Sequence, residues 1–221
     1  MVWLSLSGTT YTTLNVPGSI SGSTVPYGIN NAGTVAGTYM PDFGGYVPGS
    51  PDQYGFSLSN GTYTTNTALA NYPAFFPFPS GINNAGTIVG SYLTGSALYG
   101  FSLSGTTYTT LNGAESPYGI NNAGTIVGSG RGGGFCLSNG TYITLNVPGA
   151  SITDPTGIND AGTIVGSYLD ASGMWHGFSL SNGAYTTLDY ALVSGVPIPG
   201  AILLFVPGLV GLAAMRRRFK K

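Results

Sequence analysis

Charge is what this sequence lacks most. Only 6% of its 221 residues are Asp, Glu, Lys or Arg, where an ordinary soluble protein has about a quarter. The shortage is lopsided. Before residue 216 there are seven acids (Asp42, Asp52, Glu115, Asp154, Asp160, Asp170, Asp189), one base (Arg131) and no lysine. Such a surface cannot neutralise phosphates, which argues against nucleic acid as a partner. Ser, Thr, Asn and Gly must keep it solvated instead.

Cysteine is nearly absent as well. Cys136 stands alone, so no intrachain disulfide can form. It occupies the place of Ser57, Ser102 and Ser179 in related segments, and reads as a tolerated serine replacement. Histidine is limited to His176. It lies in Gly173-Met174-Trp175-His176-Gly177, which reads as a strand-entry turn rather than the seat of a general base. No Cys or His cluster has zinc spacing, and no phosphate-cradling loop occurs. Asp154, Asp160 and Asp170 lack the alternating carboxylates of a calcium loop and read as turn residues. No cofactor, metal site or catalytic set is expected. Before residue 190 no segment has a capped helical period.

What is present is a repeat. Gly-Ile-Asn-Asn-Ala-Gly-Thr-Ile-Val-Gly occurs at residues 81–90 and 119–128, with near copies at 28–37 and 157–166. A second phrase, close to Phe-Ser-Leu-Ser-Asn-Gly-Thr-Tyr-Thr-Thr-Leu, follows each and begins at Phe56, Phe101, Phe135 and Phe178. Successive first phrases start 53, 38 and 38 residues apart.

Each phrase predicts a hairpin. In the second, Asn60-Gly61 suits a two-residue type I′ turn, whose central residues both need positive φ. That closure sets Leu58 opposite Tyr63, with Phe56 on the same face. In the first, Asn-Ala-Gly suits a short turn ending in a left-handed residue. Ile88-Val89 and its copies then point to opposite faces of a strand, so both faces must be covered. One repeat is therefore about four short strands. The fold expected is an all-β repeat, a β-propeller-like array of four-stranded units, with a β-solenoid or irregular sandwich as the alternative. The alternating phrases resemble the extracellular HAF repeat of bacterial proteins over nearly all of residues 1–190. That resemblance implies an extracellular setting and a β-repeat architecture; it does not imply a catalytic activity, and the chain is expected not to be an enzyme.

The sequence opens inside a repeat, because Leu4-Ser5-Leu6-Ser7 aligns with Phe178-Ser179-Leu180-Ser181. Residues 1–190 thus hold half a repeat and then four complete ones. The expectation is an N-terminally truncated chain and an incomplete, open ring.

Residues 191–221 read as a separate tail. Val196 to Met215 is an uncharged run of 20 residues, long enough as a helix to cross one hydrocarbon core. Arg216, Arg217, Arg218, Lys220 and Lys221 follow at once. Such a cluster stays on the cytoplasmic side and leaves the repeats outside. A transmembrane helix is expected over 201–215. The order of Pro motif, apolar helix and terminal basic cluster resembles the PEP-CTERM sorting signal. Val196, Pro197, Ile198, Pro199 and Gly200 stand near its VPLPA variant, with Ile198 and Gly200 departing from it. The resemblance implies exosortase as processing partner, a membrane-anchored precursor, and delivery to the cell surface or an exopolysaccharide matrix. A carbohydrate-binding surface module is the alternative function. A propeller lyase or glycosidase would need converging carboxylates, which the sparse acids disfavour.

Overall fold

The computed structural model describes residues 3–7, 9–43, 53–65 and 77–189. Residues up to Leu188 belong to one unit. The predicted motif at 196–200, the transmembrane helix at 201–215 and the basic cluster at 216–221 lie outside the described residues. Among the described residues no helix is long and apolar enough to cross a membrane.

Among the described residues eighteen strands form five antiparallel sheets, each a simple meander. The half repeat is a two-stranded ribbon, β1 (Trp3–Ser7) and β2 (Thr10–Leu14). The first complete sheet is β3 (Val25–Ile29), β4 (Val35–Tyr39), β5 (Tyr54–Ser59) and β6 (Thr62–Thr65). The second is β7 (Pro77–Ile82), β8 (Ile88–Thr94), β9 (Ala97–Ser104) and β10 (Thr107–Leu111). The third is β11 (Ser116–Ile120), β12 (Ile126–Gly130), β13 (Gly133–Ser138) and β14 (Thr141–Leu145). The fourth is β15 (Ile152–Ile158), β16 (Ile164–Leu169), β17 (Trp175–Ser181) and β18 (Ala184–Thr187). This is the four-strand unit expected from the two phrases.

The turns explain why the strands pair as they do. Asn60 and Gly61, Asn139 and Gly140, and Asn182 and Gly183 all have positive φ. Both central residues are thus left-handed, as a type I′ turn requires. Leu58 accordingly lies opposite Tyr63, and Leu137 opposite Tyr142. The diagonal Phe–Tyr pairs make ring contacts, 5.4 Å between centroids for Phe135–Tyr142 and 5.5 Å for Phe101–Tyr108.

Sheets stack through both faces. Toward the preceding neighbour, each sheet turns the isoleucine or valine that starts its second strand and the phenylalanine of its third. Toward the following neighbour it turns the next residue of the second strand. Val89 therefore packs with Ile126 and Phe135, Val127 with Ile164 and Phe178, and Ala36 with Ile88 and Phe101. The Leu-Asn-Val-Pro-Gly segments after the fourth strand complete these interfaces through Leu145 and Val147. Between the half repeat and the first sheet, Leu14 and Val16 do the same against Val35 and Phe56. Two of these segments are held by a threonine at or beside the start of the next sheet. Thr24 and Thr153 are buried, and their hydroxyls accept hydrogen bonds from the Val16 and Val147 amides at 3.0 Å.

The first strands of successive sheets, β3, β7, β11 and β15, lie side by side. Each carries a bulge where the register slips by one residue, at Tyr27, Ser80, Tyr118 and Thr156. The glycine opposite each bulge has a reason to be glycine. A methyl group on Gly128 would run into the Ser116 carbonyl and Pro117 Cα, and Gly37, Gly90 and Gly166 meet the equivalent backbone.

Candidate functional site

The Asn-Asn pair of the first phrase does more than turn the chain. Asn121 Oδ1 accepts from the Ala123 and Thr125 amides at 3.1 and 2.9 Å, which closes its own turn. Its Nδ2 donates to the Asn159 carbonyl of the next sheet at 3.2 Å. Asn30 and Asn83 donate in the same way to Asn83 and Asn121. The second residue forms a parallel rail. The Asn31 amide donates to Asn84 Oδ1, the Asn84 amide to Asn122 Oδ1, and the Asn122 amide to Asp160 Oδ1. A polar ladder thus runs across all four sheets, always with the earlier sheet as donor. Asp160 fits the last rung because that position only has to accept. Sequence reasoning assigned these residues to turns alone. The pairing partners lie 38 or 53 residues apart, so the only local signal was the repetition of both asparagines.

The titratable residues do not converge. Among the described residues no three of His, Cys, Asp and Glu come together. Asp154 and His176 are strand residues rather than turn residues. Asp154, in β15, accepts from Ser129 Oγ of the preceding sheet at 2.7 Å. His176, in β17, sits opposite Tyr168 and stacks on its ring at 5.0 Å. Its Nε2 lies 3.2 Å from Asp170 Oδ2. Asp170 is the turn residue, and it also accepts from the Met174 and Ser172 amides. The Met174 amide and the Ser172 hydroxyl hold its carboxyl well below the usual carboxylate range. An Asp170 carboxylate that stays ionised at neutral pH can, beside one imidazole, fix a loop. Burial pushes the Cys136 thiol up, the wrong direction for a nucleophile. Arg131 bonds Glu115 at 2.6 Å on an exposed surface, where such pairs contribute little.

Two surfaces remain that could bind something. One is the inner edge formed by the bulges. Tyr27 and Tyr118 are exposed there, on the first and third sheets, with Ser80 between them in sequence order tied to backbone carbonyls. The other is a recess of about 360 Å³ beside the half repeat, lined among others by Leu4, Leu6, Leu14, Tyr27, Ile29 and Val35.

None of the sorting-signal residues, Val196 to Gly200 or Arg216 to Lys221, is among those described. No family model and no curated protein matches the chain. Among solved structures it is similar to a catalytically inactive virginiamycin B lyase from Staphylococcus aureus, crystallised with quinupristin. The identity is 12% and the TM-score 0.40, over 78% of this chain and 73% of that one. It is also similar to a mutant of AofleA from Arthrobotrys oligospora, with 14% identity and a TM-score of 0.42. That match covers 84% of this chain and 63% of the other.

Proposed function

We propose that this chain is a non-enzymatic extracellular or cell-surface repeat protein of propeller type, sorted by an exosortase. Its precursor is held in the membrane by residues 201–215, with Arg216 to Lys221 on the cytoplasmic side. Cleavage near Val196–Gly200 then frees the repeats to join the surface or an exopolysaccharide matrix. The observation that carries this reading is the order of three parts: a Pro motif, a 20-residue uncharged run and a terminal basic cluster, behind a repeat almost free of charge. The two prolines favour an extended, protease-accessible backbone, while the cations halt export. The test is an intact-mass measurement on the protein from its native cell. The expected mass lacks the basic cluster; a mature surface form that keeps Lys221 would overturn the proposal.

Tyr27 and Tyr118 favour one second reading, a carbohydrate-binding module. Exposed tyrosine faces on a Thr- and Asn-rich surface suit sugar stacking. Glycan-array binding that disappears in Tyr27→Ala and Tyr118→Ala would support it.

A further inference from the structure

In a four-stranded antiparallel meander the first and third turns fall at one end of the sheet and the second turn at the other. The first turns here are residues 30–34, 83–87, 121–125 and 159–163, and the third turns are 59–62, 104–107, 138–141 and 181–184. Hydroxyl contacts join the two kinds within each sheet: Thr34 to Ser59, Thr87 to Ser104, Thr125 to Ser138 and Thr163 to Ser181. The asparagine ladder joins the first turns from sheet to sheet. The result is one continuous surface at the same end of all four sheets.

That end has its own chemistry. Every residue of those turns is Gly, Ala, Ser, Thr, Asn or Asp, and Asp160 carries the only charge. No side chain there is bulkier than asparagine, so the surface is low and even. The opposite end bears Glu115, Arg131 and Asp170 together with the exposed Met40, Phe43 and Met174. At the ladder end Asn31, Asn84 and Asn122 are exposed yet fixed in place. Oδ1 of Asn84 and of Asn122 accepts from the amide of the sheet before it. Nδ2 of Asn31 and of Asn84 has no protein partner among the described residues. Carboxamides already held in position lose little further freedom when a ligand takes them. Carboxamides and hydroxyls both donate and accept, as the hydroxyls of a sugar do. With almost no charge, the surface offers a phosphate or a uronate nothing to pair with.

We propose that the ladder end is a track for a neutral polysaccharide, which lies across the sheets and meets the same Asn and Thr-Ser groups once per repeat. Each contact exchanges hydrogen bonds with water and is weak by itself. Successive contacts act at high effective concentration, so a polymer is held far better than its short oligosaccharide. Charge has no part in the attraction, so binding survives high salt. The assignment rests on the reading of the chain as a surface or matrix component and names the matrix chemistry it would meet. It uses a surface distinct from the inner edge of Tyr27 and Tyr118.

The test incubates the full chain with microcrystalline cellulose, insoluble β-1,3-glucan or chitin, with calcium alginate beads as the anionic comparison, and measures the protein left in solution. Saturable retention on at least one neutral polymer is expected, unchanged in about 1 M NaCl. Ala85→Glu combined with Ala123→Glu stands two long charged side chains on the track and should weaken retention at least about tenfold. Both alanines are exposed, and Ala123 serves its turn through its backbone amide, so the ladder is kept, which thermal unfolding checks. Ala171→Glu makes the same change at the opposite end and should leave retention unaltered. Retention on alginate alone, or loss of retention in salt, overturns the proposal with the unaltered chain. So does retention indifferent to the paired Glu variant. If Tyr27→Ala and Tyr118→Ala abolish retention and the Glu pair does not, the track falls and the carbohydrate-binding reading stands. Failure of all three neutral polymers to retain the chain also overturns the track, and leaves exosortase sorting to its own mass measurement.

Discussion

Asn121 illustrates how much one side chain does here. It closes its own turn through Oδ1 and joins two sheets through Nδ2, at 5% exposure. Replacement by Ala takes the Oδ1 acceptor from the Ala123 and Thr125 amides and the Nδ2 donor from the Asn159 carbonyl, which keeps the Gly162 amide, at a cost of about 1–3 kcal/mol. Asn159 has the same turn bond to Thr163 but is exposed and lies on the last sheet. Asn159→Ala should cost roughly half as much, and urea denaturation of the two variants measures the difference. Equal losses would show that the bond between sheets contributes nothing. Asp170 makes a pH argument at the same scale. Its folded carboxyl is held below its ordinary value of 3.8. The stability it adds is therefore present above that value and lost as the pH falls through the lower, folded one. Asp170→Asn should lower Tm at neutral pH, with the deficit shrinking below about pH 3. A deficit that does not change with pH would contradict this account of the loop.

At the scale of the element, the first-strand bulge and its facing glycine are one device. The extra residue, Tyr118 in the third sheet, bends β11, and the backbone then crowds the strand beside it. Gly128 has no room for a Cβ there. Gly128→Ala should destabilise by about 2–4 kcal/mol through steric overlap. Gly140→Ala, in a turn with φ of +76° and open space around it, should cost only about 1 kcal/mol. Thermal unfolding of both variants ranks them, and the reverse order would mean the bulge yields more easily than the turn. The hairpins were legible in advance because Asn-Gly turns act over two residues. The bulges were not, since nothing in Pro-Tyr-Gly-Ile requires a register slip until the neighbouring strand is in place.

At the largest scale the described repeats up to Leu188 form a short stack, and its ends differ from its middle. Stability in such repeats is close to a sum over units and their neighbour interfaces. Val127 is 0% exposed between two sheets, whereas Val165, the same residue on the last sheet, is 41% exposed. Leu188 is likewise 53% exposed, against 8% for Leu145. Val127→Ser should therefore cost about 2 kcal/mol or more, and Val165→Ser under about 1. Hydrogen exchange should follow the same gradient, with amides of β11 to β14 slowest and those of β1 and β2 fastest. Protection spread evenly over all the described strands would argue against a stack built from neighbour contacts.

Strand number, hairpin pairing and the alternation of two units were determined by the sequence alone. Each depends on chemistry within a few residues: left-handed Asn-Gly turns, adjacent Ile-Val pairs that need two covered faces, aromatics that recur with the turn. Tertiary structure alone decided which copies of each residue are buried and that the paired asparagines form a ladder. It also decided that His176 sits on a strand against Asp170 and that the half repeat leaves a recess. Those features arise between segments tens of residues apart. Identical phrases differ there only in whether a neighbouring sheet exists to receive them.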